Sequence, residues 1–510
     1  MGFVLEGNLF DPVTGPGRVR LSVEAGRIQA LEPCSPAEES GLVRPADEWI
    51  LPGLVDAHTH LLGLGLAPTR PDLSEARSRA ELLARLDQWL RAHPGDGPVI
   101  AEGFDQSTWD DPALPTRAEI DGVAPRRPVA VRRVCGHLAV FNSAALALLG
   151  GEQADLDVSS GLAREALPLS LSRRWPPSEE ELDVALVRAQ ETALSAGVTA
   201  VHEMGSGSGL RVFARAALAG RLRLRVSYFF EAVLLDSLLA TGLRAGFGDG
   251  TLRAAGLKFF LDGSIGGRSA ALRGQYADRA ESGLLLWDDA ALESRLALAA
   301  ETGWPVALHA IGDRALEQAV SVCERLGARG LRPAGPGMRL EHAEMLDEPL
   351  LRRAVEAGCL FSMQPNFTAR WQGPGQLYES ALGAEGAAAL NPFAAAAATG
   401  RLLFGSDTMP LDPVLGFRGA LLHPRPEERL GFTEAFRLYS EAGAGAVVRP
   451  FGRARLLPGE PADLVLMRLP APPGEMRAED LPGVRVLATW TDGLLRHADP
   501  SVGGSLPGGV

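Results

Sequence analysis

The chain has 510 residues, 46% hydrophobic and 22% charged, with a formal net charge of −13 at pH 7. That length predicts a large domain with a smaller companion, and the composition is that of a folded protein. The acidic balance argues against a nucleic-acid or anionic-membrane partner, since both demand a basic face. No apolar run approaches the roughly 18 residues of a membrane span, and the opening MGFVLEGNLFDP lacks the regions of a signal peptide. The expectation is a cytoplasmic protein. Cys34, Cys135, Cys323 and Cys359 are scattered with no CxxC pair, which predicts reduced thiols that fill core space.

Residues 1–50 alternate short β-prone runs with turns, FVLEG and then GRVRLSVEAGRIQAL, before a Pro/Glu/Ser loop. Residues 445–510 return to that texture in GRARLLPGEPADLVLMRL and GVRVLATWTDG. The two chain ends are therefore expected to pair into one small composite β-sandwich domain. Between them, over 51–444, strand-like runs alternate with helical stretches, the pattern of a parallel sheet with crossover helices. Eight candidate strands follow in order: 53–60, 198–204, 224–230, 256–262, 305–311, 338–343, 360–365 and 401–407. The predicted fold class is α/β, a (β/α)8 TIM barrel flanked by that β-sandwich domain. An insertion at about 64–165 carries short strands of its own, PVIAEGF and PVAVRRV.

In such barrels the chemistry sits at the C-terminal ends of the strands. The first strand ends in His58-Thr59-His60, the fourth carries Lys258, the fifth ends in His309, the sixth in Glu341-His342 and the eighth in Ser406-Asp407. Two residues apart on a strand, His58 and His60 share a face, and two inward imidazoles suit one metal ion. A hydrogen-bonded pair of core histidines is the plainer alternative, but burying two rings without partners is costly. Asp56 falls on the same face as His58 and could orient a ligand. His309 and His342 each read alone as structural, yet at successive strand ends beside an HxH pair they favour metal. Asp407, closing an apolar strand, could bind metal, act as general base or cap the next segment.

Lys258 is the only lysine in the chain; every other member of the Lys+Arg total of 50 is arginine. Inside the apolar run GLKFF an ammonium ion is costly, so burial favours the neutral amine. A neutral amine can take up CO2 as a carbamate whose two oxygens bridge two cations, which arginine cannot do. An interior salt bridge of Lys258 to Asp262 or Glu341 is the competing reading.

With these residues in place the chain resembles the metal-dependent amidohydrolase superfamily, and within it the YtcJ-like branch (the amidohydrolase family 3 type, akin to N-substituted formamide deformylase). The matching stretches run in order over nearly the whole chain: LPGLVDAHTH, GHLAVFNSAAL, GLKFFLDGSIGGRSA, GWPVALHAIGDRA, RLEHAEM, LFSMQPNF, LLFGSDTMP and PGEPADLVL. The resemblance implies two divalent metal ions bridged by a carboxylated Lys258, and the His and carboxylate donors suit zinc. By position, His58, His60 and Asp407 would hold one ion, and His309 and His342 the other. The family's longer segment after GHLAVFNSAALALLG is here shortened to SSGLAREA, which leaves the substrate open.

The reading that results is a hydrolase of a C–N bond in a small-molecule amide, N-formyl compound or cyclic amide. A metal-activated hydroxide attacks, with Asp407 and Lys258 as catalytic residues. His137, His202, Asp262, Arg268 and Gln364 are candidate substrate contacts, whereas His93, His423 and His497 fall outside strand ends and read as surface residues. The alternatives are a mononuclear deaminase, which has no need of Lys258, an ester or phosphotriester hydrolase on the same scaffold, and a catalytically silent barrel. Manganese, cobalt, nickel or iron would also suit the donors, and a homodimer is the common default for oligomeric state.

Overall fold

A computed structural model describes residues 2–34, 45–150, 155–205, 209–332, 335, 337–502 and 506–508. The Pro/Glu/Ser loop expected after the first strands, over 35–44, lies outside them. Eight parallel strands follow one another around a nearly closed barrel: Leu54–Thr59, Val198–Gly205, Arg225–Glu231, Leu252–Phe260, Val306–Ala310, Arg339–His342, Leu360–Met363 and Leu402–Phe404. They coincide with the eight segments read from the sequence. Strands buried on both faces must be apolar nearly throughout, and the fifth, VALHA, is buried at every position. Crossover helices cover the outside, and three of them are opened by a side chain that satisfies a free N–H. Ser178, Asp288 and Asp347 cap the helices Glu179–Ser195, Asp289–Glu301 and Glu348–Glu356 in this way.

No backbone ladder pairs the last strand with the first. Other contacts close that seam. The Asp407 N–H donates to the His58 carbonyl at 2.8 Å. The Asp56 carboxylate accepts from the Ser406 N–H at 2.9 Å and the His58 N–H at 3.2 Å. Gly405 allows this approach, because a Cβ there would lie 2.5 Å from the His58 nitrogen.

Both chain ends enter one separate seven-stranded sheet. Its order is Leu494–Ala498, Arg485–Thr491, Leu464–Arg468, Glu48–Pro52, Gly2–Asp11, Gly15–Glu24 and Arg27–Pro33. It abuts the N-terminal rim of the barrel. There Arg225, at the start of the third strand, pairs with Asp463 and with Asp492, and the Thr489 hydroxyl donates to the Leu194 carbonyl at 2.7 Å. At the other rim, the segment between the first two strands folds into a five-stranded sheet ordered Val99–Phe104, Val129–Arg133, Leu138–Phe141, Leu162–Arg164 and Leu156–Asp157. The insertion has its own core, built on Leu82, Leu86, Phe104, Ile120 and Val131.

Candidate active site

The C-terminal rim brings together side chains from five of the eight strands. His58 and His60 project from the end of the first strand, and Asp407 follows the eighth across the seam. His60 Nε2 lies 3.1 Å and His58 Nε2 3.5 Å from Asp407 Oδ1. One donor atom from each of the three falls within 4.8 Å of the others. Lys258 Nζ is 3.2 Å from His58 Nε2. The rings of His309 and His342 stand side by side with centroids 4.4 Å apart, and His342 is 4.9 Å from the His58 ring.

Each of three imidazoles has one nitrogen anchored, which leaves the other available. His58 Nδ1 meets Glu341 Oε2 at 2.7 Å, His342 Nδ1 meets Gln364 Oε1 at 2.7 Å, and His309 Nε2 meets the Gly263 carbonyl at 3.0 Å. Anchoring one ring nitrogen to an oxygen acceptor fixes the tautomer that presents a lone pair on the other, the arrangement a metal-ligating histidine requires. Burial, and after it the Lys258 charge, hold His58 well below the ordinary imidazole range; burial likewise lowers His309 and His342. Neutral rings are the form that binds a cation. Burial opposes the charge on Asp407, but His58, His60 and Lys258 outweigh it and hold the carboxyl down at about 2. The donor set therefore fits divalent cations on chemical grounds. The backbone adds strain: His342 and Asp407 have φ of 70° and 54°, left-handed values that side chains other than glycine seldom adopt.

Burial lowers Lys258 to about 8, against the pull of Glu341 and Asp407. The interior salt bridge to Asp262 or Glu341 is not how those carboxylates are used. Glu341 pairs with Arg339 at 2.9 Å and with His58. Asp262 accepts the N–H groups of Ala271, Ile311 and Gly312 at 2.9, 3.1 and 2.8 Å.

The structure places the five candidate substrate contacts variously. His137, from the insertion, reaches the loop after the fourth strand and meets Glu165 Oε2 at 2.7 Å through Nδ1. His202 is buried in the barrel and meets Arg339 at 2.8 Å. Asp262 is fully buried and ties the loops after the fourth and fifth strands together. Arg268 is held by both oxygens of Asp278 and by the Ile265 carbonyl. Gln364 donates to the Ser362 carbonyl and accepts from His342, which makes it a support of that ring. His423, expected at the surface, is buried with Nε2 3.2 Å from the Leu390 carbonyl. Sequence reasoning passed over Arg339 and Glu203. Glu203 accepts from the Thr59 hydroxyl at 3.0 Å and the Leu61 N–H at 2.8 Å, fixing the turn that follows His60. The available signal was a charged residue inside each of the apolar strands VTAVHEM and MRLEHA.

The sequence profile described as "Amidohydrolase family" matches residues 47–496, nearly the whole chain. The chain belongs to the amidohydrolase family. Among its relatives is the Bacillus subtilis (strain 168) protein named as the amidohydrolase YtcJ, 29% identical over 460 residues that cover 82% of this chain and 83% of that one. The N-substituted formamide deformylase of Arthrobacter pascens is 25% identical over 504 residues, covering 90% of each. A solved metal-dependent hydrolase from Pyrococcus horikoshii OT3 superposes with a TM-score of 0.74 at 26% identity, covering 93% of this amidohydrolase and 98% of that chain. Among the described residues of the amidohydrolase, no helix is long and apolar enough to cross a membrane.

Proposed function

We propose that this amidohydrolase cleaves the C–N bond of a small-molecule amide, N-formyl compound or cyclic amide with two divalent cations at the barrel rim. His58, His60 and Asp407 would hold one cation, and His309 and His342 the other, with Lys258 carboxylated between them. Zinc suits these donors best. The observation that carries this reading is the gathering of two histidine pairs around one buried lysine and one ionised aspartate, with the His58 and His60 Nε2 atoms 3.5 and 3.1 Å from Asp407 Oδ1. Bound cations supply the Lewis acidity that acidifies a water and polarises the scissile carbonyl. Asp407, ionised over the whole neutral range, takes the proton of the attacking water on a carboxylate oxygen and returns it to the departing nitrogen. The Lys258 amine, eased towards its neutral form by burial, combines with CO2 to give a carbamate and releases one proton. His60, with its side chain 40% exposed, marks the side from which substrate enters.

Metal counting on the purified protein, together with turnover of N-acyl and N-formyl compounds, tests the proposal. Two equivalents of metal per chain and release of an amine are expected. One equivalent, with activity intact in Lys258→Ala, would favour a mononuclear deaminase, the reading supported by the tight grouping of His58, His60 and Asp407 alone.

A further inference from the structure

Behind His58 lies a chain of buried polar groups that crosses the barrel interior from the second strand to the first. His202 Nδ1 accepts from an Arg339 terminal nitrogen at 2.8 Å. The other terminal nitrogen of Arg339 donates to the Ala57 carbonyl at 2.7 Å, to Glu341 Oε2 at 3.1 Å and to the Ser362 hydroxyl at 3.3 Å. Arg339 Nε stands 2.9 Å from Glu341 Oε1, and Glu341 Oε2 is 2.7 Å from His58 Nδ1. Arg339, Glu341, His202 and His58 are all 2% exposed or less, and the guanidinium lies over the Phe229 ring at 4.9 Å from its centre.

A cation and an anion this deep must have a compensating role or they would only destabilise the fold. We infer that Arg339 is a positioning residue for the metal site: it locks Glu341 against His58, so that His58 keeps its proton on Nδ1 and aims Nε2 at the space shared with Lys258 and Asp407. Four features support this. The guanidinium is planar and rigid, so with one terminal nitrogen on His202 and the other shared by Ala57, Glu341 and Ser362 it is held in place, and its charge lies 2.9 Å from Glu341 Oε1. Arg339 and Glu341 are two apart on the sixth strand, hence on one face, while Leu340 between them points the other way into the core. The Ala57 carbonyl belongs to the residue before His58, so one side chain braces both the backbone and the ring of the same ligand. His202, kept neutral by burial and then by the Arg339 charge, is an acceptor and completes the clamp. The chain is not a proton wire, since arginine does not give up its proton. It sets direction only.

This inference rests on the metal-dependent reading above, but its test does not need a substrate. In cation-free protein carrying isotope-labelled histidine, NMR is expected to find His58 protonated on Nδ1 and bare on Nε2, the resonance being assigned by its loss in His58→Gln. The opposite tautomer overturns the inference. Arg339→Lys keeps the charge but loses the fork, and Glu341→Gln keeps an acceptor but loses the charge. Each is expected to lower zinc affinity, measured by competition with a chromophoric chelator, by about 10–100-fold, with the circular dichroism of the folded protein retained. If neither variant folds, the His58 tautomer measured in the wild-type protein still decides. Wild-type zinc affinity in a folded Arg339→Lys or a folded Glu341→Gln would overturn the positioning role. A wild-type protein that binds no zinc in competition would instead defeat the proposed function, whatever tautomer His58 adopts.

Discussion

At the scale of single residues, the site divides into groups that meet the reacting atoms and groups that hold them in place. In the proposed mechanism Asp407 belongs to the first kind. Asp407→Asn removes the acceptor for the water's proton, and turnover is expected to fall about 10²–10⁴-fold, read as kcat with KM little changed. In the same proposal Lys258 is the other decisive position. Lys258→Arg preserves a cation of similar reach that cannot form a carbamate, so metal content per chain, measured by plasma emission spectroscopy, should fall below that of the wild type. Full metal content in this variant would remove the bridging role. Dialysis against a strong chelator should abolish turnover, and return of zinc should restore it, with no loss of the folded signal if the anchored imidazoles keep their rotamers.

At the scale of elements, the closing seam is the place where geometry is tightest. Gly405→Ala sets a methyl 2.5 Å from the His58 backbone nitrogen and 2.8 Å from its Cβ. The last strand must withdraw, at a cost of about 1–3 kcal/mol. A lower melting temperature together with weaker zinc binding is expected, since the strand that moves carries Asp407; a lower melting temperature with unchanged zinc affinity would separate the seam from the site. The eight barrel strands were legible because parallel, doubly buried strands read as apolar runs, and because HxH alternation puts two rings on one face whatever the tertiary detail. What stayed hidden depends on contacts between distant segments. The insertion strand Leu156–Asp157 is two residues long and has no periodicity to read. Gln364 and Asp262 stand at strand ends, where sequence suggests substrate, and only their hydrogen bonds show Gln364 holding an imidazole and Asp262 holding two loops. Arg339 in MRLEHA drew no reading from sequence, because its role lies in partners on three other strands.

At the scale of the whole molecule, the two ends of the chain are tied to each other through a buried ion pair. Asp11, on the first strand of the chain, accepts from Arg455 Nε at 2.8 Å and from the N–H groups of Leu456, Val13 and Thr14 at 3.0, 3.0 and 3.1 Å. Burial works against its charge, but Arg455 and those N–H groups outweigh burial and hold the carboxyl below its ordinary value. Proton uptake is then easier in the unfolded chain. The stabilisation is full above the unfolded value of about 3.9 and is lost as pH falls through the lower folded value. Asp11→Ala should cost about 3 kcal/mol at neutral pH, and the gap in melting temperature from the wild type should close as the buffer is taken below about pH 4. A gap that stays constant through that range would mean that the charge is not its source.

The banks of the barrel seam have a consequence in time. His58 and His60 leave the ribosome early, and Asp407 follows only after almost all of the barrel has been made. At roughly 5–20 residues per second, the nascent chain carries half of a chelating site for tens of seconds before its other half exists. If these three side chains hold a cation as proposed, it can be seated only after the eighth strand has docked against the first, so loading would belong to the end of biogenesis, and a chain truncated before Asp407 should leave translation without that ion.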